Sequence, residues 1–223
     1  MMAKAVIVGL FCSIILLSSQ VFAMPSPILF QRSMPFNVFN STSATVYDTS
    51  TPITAPFEIF INNQLTYNSS GTLGAIVKFQ DAKTGSMNAL EIVIYNTKAV
   101  DVNFTDKATG STTRIATVPG DQMNDIPREI VIENSGSILN IKTADGTAIV
   151  KGFVLPADFK IIAVSGYGNT TGVASDGFVT VYIGGLNPSK NISFNMNSFV
   201  PLIGAVAAIS IILTLVSKIR QKI

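Results

Sequence analysis

Five asparagines of this chain lie in the Asn-x-Ser/Thr pattern that N-glycosylation requires. They are Asn40, Asn68, Asn103, Asn169 and Asn191. Two of them fall in segments with turn composition, two lie in polar flanking segments, and Asn103 occupies an outward position of an alternating segment. A glycan is bulky and needs an exposed asparagine. We predict that all five carry glycans; the alternative is that they are ordinary polar surface residues.

Four glutamates are the residues from which a hydrolytic site could be built: Glu58, Glu91, Glu129 and Glu133. A glycoside hydrolase needs two carboxylates about 5 to 9 Å apart across the scissile bond. The E-x-D-x-E strand motif of sandwich glycanases is missing, and each glutamate alternates with apolar neighbours, as on a solvated strand face. The chain has no histidine and only Cys12, so no Ser-His-Asp or Cys-His set can form. We expect no enzymatic activity, no metal and no cofactor.

Two further segments could meet a ligand. Asp121, Asn124 and Asp125 make an oxygen-rich loop of the kind that calcium favours, but their spacing matches no established calcium site and favours a plain turn. The Gly-Tyr-Gly segment 166–168 is predicted as a loop. Its tyrosine ring either meets a ligand or belongs to a simple connection between strands.

The amino-terminal segment has the composition of a secretory signal peptide. A positive charge near its start is followed by the apolar run 5–17 and then by small residues. We predict a signal peptide over 1–23 with cleavage between Ala23 and Met24; the alternative is a retained membrane helix. Cys12 lies inside this segment, so the mature chain has no cysteine with which to form a disulfide.

The carboxy-terminal segment has the composition of a membrane anchor. The run from Phe199 to Val216 is free of charges, and a helix of that length reaches roughly 27 Å, close to the hydrocarbon thickness of a bilayer. Basic residues follow directly, which marks the cytoplasmic side. We predict a transmembrane helix over 199–217, a basic inner tail over 218–223 and a juxtamembrane linker over 187–198. A buried core helix is the alternative.

The part between the two terminal signals carries little charge. It contains 11 Lys and Arg against 13 Asp and Glu, a net charge of −2, and its basic residues are not clustered. Nucleic-acid binding requires a basic patch, so we expect no nucleic-acid partner. The expected partners are the lipid membrane, glycans, and other copies of this chain or further surface or capsid proteins.

From Phe57 onward, short runs alternate between apolar and polar residues and are rich in β-branched and aromatic side chains. This period of two is typical of half-buried strands. The runs are 57–61, 73–79, 90–94, 100–104, 114–118, 129–133, 137–142, 148–155, 159–165 and 178–183. Turn residues separate them, and Asp145-Gly146 is a candidate tight hairpin turn.

These runs, with no convincing soluble helix, predict an all-β fold: an antiparallel β-sandwich of the jelly-roll type over 56–186. An immunoglobulin-like sandwich is the second choice. The preceding segment 24–55 is rich in Pro, Ser and Thr. It is predicted to be an extended arm or stalk, or else a disordered linker.

The segment from Phe57 to Gly185 is marked by the strand segments LGAIVKF, ALEIVIY and SILNIK, the hairpin TADGTAIVKGF and the closing strand GFVTVYIGGL. In this pattern the chain resembles a jelly roll of the laminin-G or concanavalin type. The resemblance implies a domain that binds sugars or serves as a capsid or vertex module. The sugar and calcium residues of those lectins have no counterpart that can be placed here.

The chain as a whole also resembles surface proteins of hot-acid archaea and of their viruses. The shared features are the signal, the Ser/Thr/Asn-rich sandwich without mature Cys or His, the glycan acceptors and the single carboxy-terminal anchor. In style and length it is similar to turret or vertex proteins of membrane-containing icosahedral archaeal viruses.

Three functions are compatible with these features. The first is a non-enzymatic, membrane-anchored protein of the cell surface, structural or adhesive, with surface attachment or glycan binding as its role. The second is a vertex or turret protein of a virion, involved in host attachment and assembled as rings. The third is a carbohydrate-active enzyme.

Overall fold

The computed structural model describes residue 25 and residues 27–67, 71–171 and 175–186. Within them the chain forms an antiparallel β-sandwich of two six-stranded sheets, which confirms the predicted all-β sandwich.

The predicted signal peptide, its cleavage point between Ala23 and Met24, and the anchor from Phe199 to Val216 lie outside the described residues. These predictions therefore remain predictions. Among the residues that the structure describes, no helix is both long enough and apolar enough to cross a membrane.

Sheet A consists of β1 (Ile28–Pro35), β3 (Phe57–Asn63), β9 (Glu129–Asn134), β10 (Ile138–Thr143), β11 (Ala148–Val154) and β14 (Phe178–Gly185). Its strand order is β1-β14-β3-β9-β10-β11. All neighbouring strands are antiparallel. The edge strands of sheet A are therefore β1 and β11.

Sheet B consists of β2 (Thr45–Thr54), β5 (Gly74–Gln80), β6 (Ala89–Tyr95), β7 (Val100–Thr105), β8 (Thr112–Val118) and β12 (Lys160–Gly168). Its order is β2-β12-β5-β6-β7-β8, again antiparallel throughout. Minor elements are the pair β4 (Thr66–Tyr67) and β13 (Ser175–Asp176), the helix α1 (Phe36–Phe39) and a 3₁₀ turn (Gly120–Gln122).

The first two strands of the chain pair with strands near its end. Strand β1 pairs with β14 in sheet A, and β2 pairs with β12 in sheet B. Between them the chain runs as two meanders, β5 to β8 in sheet B and β9 to β11 in sheet A. This arrangement is of the jelly-roll type that the sequence predicted.

Alternation along the strands fills one hydrophobic core between the sheets. Ile59 and Ile61 of β3 face Val77 and Phe79 of β5 and Ile92 of β6 within a single buried cluster. Each such side chain contributes about 1.5–3 kcal/mol when fully removed from water. Burial of this kind stabilises a domain that has no cysteine outside the predicted signal peptide.

All ten predicted runs form strands, as β3, β5 to β12 and β14. The predicted Asp145-Gly146 turn connects β10 with β11, and Gly146 adopts a φ of +89°, which glycine reaches without steric cost. Thr143 donates a hydrogen bond to the Asp145 carboxylate, and this bond lowers the pKa of that carboxyl. The turn is thus held by its own side chains.

The segment expected to be an arm differs from the prediction. Most of 28–54 is built into the sandwich as the edge strands β1 and β2. An edge strand is exposed along one side, so it needs fewer apolar positions than an interior strand. Strand β2, with the sequence TVYDTSTPIT, buries only Ile53. For this reason its polar composition resembles that of an extended arm.

The two long sides of the sandwich are constructed differently. On the closed side, where β8 and β11 meet, the ring of Phe104 lies 5.6 Å from that of Phe153 and 6.3 Å from that of Phe159. Strand β11 contacts both β7 and β8 there. Aromatic side chains thus fill the space between the two sheet edges.

On the open side, β1 and β2 border a groove of about 480 Å³. The Arg32 guanidinium lies 4.4 Å from the centre of the Tyr47 ring and joins the two strands across the groove. Leu29 and Val46, which also line the groove, are exposed. Across the groove the two strands are joined by this cation–π contact, whereas Phe30, Met34, Val38 and Phe39 of β1 and α1 belong to the buried core.

Candidate polar binding face

Polar side chains line up across five neighbouring strands on the outer face of sheet B. In register order they are Ser165 (β12), Lys78 (β5), Glu91 (β6), Asn103 (β7) and Arg114 (β8), each opposite the next; Ser165 is buried and the other four are part-exposed or exposed. We name these five residues the polar row. Because neighbouring strands lie about 4.8 Å apart, the row extends over roughly 19 Å. Alternation places these residues outward while their apolar neighbours fill the core.

Glu91 is held in place by two partners on the same face. Its Oε1 accepts a hydrogen bond from the Tyr167 hydroxyl at 3.0 Å and lies 3.1 Å from Lys78 Nζ. Only 12% of the Glu91 side chain and 23% of the Lys78 side chain are exposed. The carboxylate is therefore fixed in orientation before any ligand arrives.

A second carboxylate, Asp101 on β7, has a similar set of partners. Its Oδ2 accepts a hydrogen bond from the Tyr95 hydroxyl at 3.2 Å, and its Oδ1 accepts one from Thr117 Oγ1 at 2.7 Å. Arg114 lies 3.3 Å from Oδ2 and is 62% exposed. Arg114 thus joins this cluster to the end of the polar row.

Both tyrosines of the face act as hydrogen-bond donors at neutral pH. Burial raises the pKa of Tyr167, and the neighbouring Glu91 carboxylate raises it further. Burial also raises the pKa of Tyr95, and Asp101 is the second cause. Each phenol therefore stays protonated and donates to the carboxylate beside it.

The other end of the row is fixed by the loop between β5 and β6. Ser165 Oγ donates to Gln80 Oε1 at 2.7 Å, and Gln80 Nε2 donates to the carbonyl of Ala82 at 2.7 Å. Lys83 of the same loop forms an ion pair with Asp48 of β2 at 2.6 Å. The loop thereby joins three strands of sheet B at the border of the face.

The face offers donors and acceptors without net charge. Its cations, Lys78 and Arg114, balance its anions, Glu91 and Asp101. A polyanion such as a nucleic acid would need an excess of cations. A hydroxyl-rich, uncharged ligand instead needs fixed donors next to fixed acceptors, and the polar row alternates between them.

Three of the five predicted glycan acceptors lie within the described residues. Asn103 is part-exposed and is the fourth residue of the polar row, at the outward position that alternation predicted. Asn169 is exposed at the end of β12, and its Oδ1 accepts the Gly74 N–H at 2.8 Å. Asn40 follows α1 and is part-buried. Asn68 and Asn191 lie outside the described residues.

The four candidate glutamates are divided between the two sheets. Glu58, Glu129 and Glu133 are on the outer face of sheet A, with Glu58 opposite Glu133 in register, whereas Glu91 is on sheet B. Glu133 forms an ion pair with Lys142 at 2.9 Å. The expectation of a solvated strand face is wrong for Glu58, which is fully buried. It lies on β3, near the middle of its sheet with paired strands on both sides.

The oxygen-rich loop over 121–125 forms hydrogen bonds with nearby residues of the chain. Asp125 accepts a hydrogen bond from the N–H of Ile126, and the Asn124 carbonyl accepts one from Lys98 Nζ at 3.0 Å. Among the residues that the structure describes, no group of three His, Cys, Asp or Glu side chains could hold a metal ion.

The Gly-Tyr-Gly segment is not the predicted loop but the end of strand β12. A Cβ on Gly166 would lie 2.8 Å from Met34 Sδ, and one on Gly168 would lie 2.1 Å from the carbonyl oxygen of Phe39. The glycines are therefore required because β1 and α1 pack closely on this strand. Tyr167, between them, points outward and hydrogen-bonds to Glu91.

The remaining residues of the face were not identified from the sequence. Lys78 and Asp101 are recognisable as outward strand positions because they alternate with apolar residues in the sequence, and Asp101 is itself buried. Nothing in the sequence indicates that Ser165 and Arg114 belong to the same row, because that depends on the strand order β12-β5-β6-β7-β8.

The fold and this face define an all-β sandwich with a preformed polar surface on one sheet. No protein-family model matches the chain, and no curated protein does. Solved structures to which it is similar include sheep galectin-11, with 10% identity, 63% of this chain and 97% of that chain covered, and a TM-score of 0.41.

Two further structures are similar at the same level. The carbohydrate-binding module CBM66 from Bacillus subtilis shows 11% identity over 69% of this chain and 97% of that one, with a TM-score of 0.42. The fructofuranosidase from Schwanniomyces occidentalis shows 13% identity over 70% of this chain but only 33% of that one, with a TM-score of 0.43. The likeness is too weak to transfer a ligand or an activity to this chain.

Proposed function

We propose that this chain is a non-enzymatic surface protein whose sandwich binds an uncharged glycan on the outer face of sheet B. The observation that carries the proposal is the polar row, together with Tyr167 and Tyr95 beside it. Five neighbouring strands contribute to it, and hydrogen bonds and ion pairs fix its carboxylates and phenols.

The chemistry of the row suits sugar hydroxyl groups. A sugar hydroxyl both donates and accepts, so it can bridge neighbouring groups such as Lys78 and Glu91, or Asn103 and Arg114. Groups that are already oriented lose little conformational entropy when a ligand binds. The balanced charges impose no preference for an anionic ligand.

Catalysis is the weaker proposal for this face. Glu91 and Asp101 are diagonal neighbours on adjacent strands, with backbones roughly 7–8 Å apart, and lie on the same face of the sheet. Each carboxylate, however, already accepts hydrogen bonds and faces a cation. We therefore favour binding over catalysis for this face.

The location that we propose rests on the two terminal signals of the sequence. A signal peptide over 1–23 and an anchor over 199–217 would place the sandwich outside the membrane. A surface protein in that position meets glycans of neighbouring cells or of its own envelope.

Glycan binding can be tested with the full chain produced in a host without N-glycosylation. Binding to mannan, laminarin and dextran would be measured by affinity electrophoresis and calorimetry. We expect at least one of these neutral polysaccharides to bind, and Glu91→Gln and Arg114→Ala each to weaken that binding at least tenfold.

The matched control is Glu133→Gln, which breaks the corresponding ion pair with Lys142 on the outer face of sheet A. It should leave the affinity unchanged. Absence of binding to all three polysaccharides, or an equal loss in the control variant, would refute the proposed face.

A vertex or turret protein of a virion is the second candidate, and the open side favours it. There the edges of both sheets, β1 and β2, lie side by side with unpaired outer backbone groups. Such edges can pair with those of another copy. Density-gradient separation of the source culture would distinguish the two candidates, because a virion protein sediments with particles that contain nucleic acid, and a host surface protein stays with cell membranes.

A further inference from the structure

We propose that an N-linked glycan on Asn103 covers the polar row and blocks ligand binding there. This regulation rests on the proposed function, because it acts on the same face. Asn103 is the third of the five predicted glycan acceptors along the chain. It also lies within the polar row, between Glu91 and Arg114.

The Asn103 side chain is available for attachment. It is part-exposed and, within the described part of the chain, makes no side-chain hydrogen bond. Its neighbours differ in this respect, since Glu91 and Asp101 each accept hydrogen bonds and face a cation. The amide of Asn103 is thus a polar group of the row that has no protein partner there.

The acceptor pattern around Asn103 shares the same face. Thr105 lies two residues further along β7, so its hydroxyl is on the outer face with Asn103, while Phe104 between them points into the core. Thr105 Oγ1 lies 2.8 Å from Thr112 Oγ1 on β8. Both groups that the Asn-x-Thr pattern requires are therefore on the surface.

The other described acceptors have different surroundings. The Asn169 side chain is bound to the backbone N–H of Gly74 at the end of β12, outside the polar row. Asn40 is part-buried, and its Oδ1 has no hydrogen-bond donor among the described residues. Of these three acceptors, Asn103 is the one whose glycan would lie on the polar row.

The distances on the sheet make a glycan and a ligand mutually exclusive. Neighbouring strands are about 4.8 Å apart, so the first sugar on Asn103 lies directly beside the side chains of Glu91 and Arg114. These are the donors and acceptors that a bound glycan would use. The attached glycan thus takes the place of the external one.

The modification requires a lipid-linked oligosaccharide as donor. A bond forms between Asn103 Nδ2 and C1 of the reducing-end sugar, and the bond from C1 to the phosphate oxygen of the lipid carrier breaks. The lipid phosphate leaves with the electron pair, and the amide nitrogen loses one proton. No oxidant or reductant is involved.

The test compares full-length protein from a host that N-glycosylates secreted proteins with protein from a host that does not. Thr105→Ala removes the acceptor pattern but leaves Asn103 in the row, whereas Thr105→Ser retains the pattern. Thr171→Ala removes the acceptor pattern of Asn169 and is the matched control. Glycopeptide mass spectrometry measures the occupancy of each site.

Two readouts are then taken: binding to mannan, laminarin and dextran, and phenylglyoxal labelling of Arg114 relative to Arg32. We expect glycosylated parent protein and Thr105→Ser to bind at least tenfold more weakly than Thr105→Ala, with Arg114 protected from labelling. Thr171→Ala should behave like the parent protein.

An unoccupied Asn103 in a host that modifies Asn169 would overturn the inference, as would an occupied Asn103 with unchanged binding and labelling. A different outcome would refute the proposed function. If no form binds any polysaccharide but Arg114 is protected when Asn103 is occupied, the glycan covers the row and the row is not a ligand site.

Discussion

The two long sides of the sandwich differ in how tightly they are packed and in how accessible they are to solvent. On the closed side, three phenylalanines fill the space between the edges of the two sheets. On the open side, the corresponding edges border a groove and are joined by Arg32 over the ring of Tyr47. The same two sheets thus have one side packed like a core and one side accessible to solvent.

The difference follows from which strands form each side. The closed side is built by β7, β8 and β11, which lie inside or at the end of the two meanders. The open side is built by β1 and β2, the first two strands of the chain, whose side chains are mostly polar or exposed. We therefore expect the aromatic side chains of the closed side to contribute more stabilising free energy than the side chains that line the groove.

Removing the central ring of the closed side should have the largest effect. Phe104→Ala deletes the ring that contacts both Phe153 and Phe159, and a deletion of this kind costs about 3–4 kcal/mol of the free energy of unfolding. Urea unfolding followed by far-UV circular dichroism measures the loss.

The control for this prediction is Phe36→Ala, which removes an exposed phenylalanine of α1. It should cost less than about 1 kcal/mol. Equal losses in the two variants would show that the closed side is not packed more tightly than the rest of the surface.

Alkaline pH should lower the free energy of unfolding by an amount between the losses expected for the closed side and for the open side. The Tyr67 hydroxyl donates to the Ile94 carbonyl of the central strand β6, and burial raises the pKa of Tyr67 to about 12. An unfolded tyrosine has a pKa of about 10. Stability is therefore fully present below about pH 10 and decreases by roughly 2–3 kcal/mol as the pH rises to about 12.

Urea unfolding at a series of pH values would measure this decrease. Tyr67→Phe has no proton to lose at this position, so its stability should fall less over the same range. Burial raises the pKa of Tyr167 and of Tyr95 in the same direction, so part of the decrease remains in the variant. A decrease of undiminished size in Tyr67→Phe would show that Tyr67 is not its source.

The sequence predicted every interior strand of the two sheets and the edge strands β8 and β11, but not the edge strands β1 and β2. Alternation in β5, β6 and β7 identified the inward side chains and placed Glu91 and Asn103 outward, because an interior strand must bury one complete face. Strands β1 and β2 need not do so, and their polar composition resembled that of an arm. Composition alone does not distinguish an exposed edge strand from an unstructured segment.

The outward strand positions of Lys78, Glu91 and Asn103 were predictable from the sequence, but the polar row as a set was not. The polar row depends on a strand order in which β12 lies next to β5, although the two strands are far apart along the chain. Gly166 and Gly168 gave a misleading turn signal, because glycines that permit close packing look the same in a sequence as glycines that permit a turn. For that reason the sequence predicts a loop at Tyr167, where the structure has a strand.

The smallest expected effect is on the open side. Arg32→Ala removes the cation over Tyr47, and because Arg32 is exposed, we expect a loss of only about 0.5–1 kcal/mol in urea unfolding. Arg32→Lys keeps the charge and should lose less, since an ammonium still interacts with the ring. A loss near that of Phe104→Ala would mean that the open side holds the sheets together as firmly as the closed side does. The groove between β1 and β2 would then be part of the structural core and not an accessible edge at which another copy of the chain could pair.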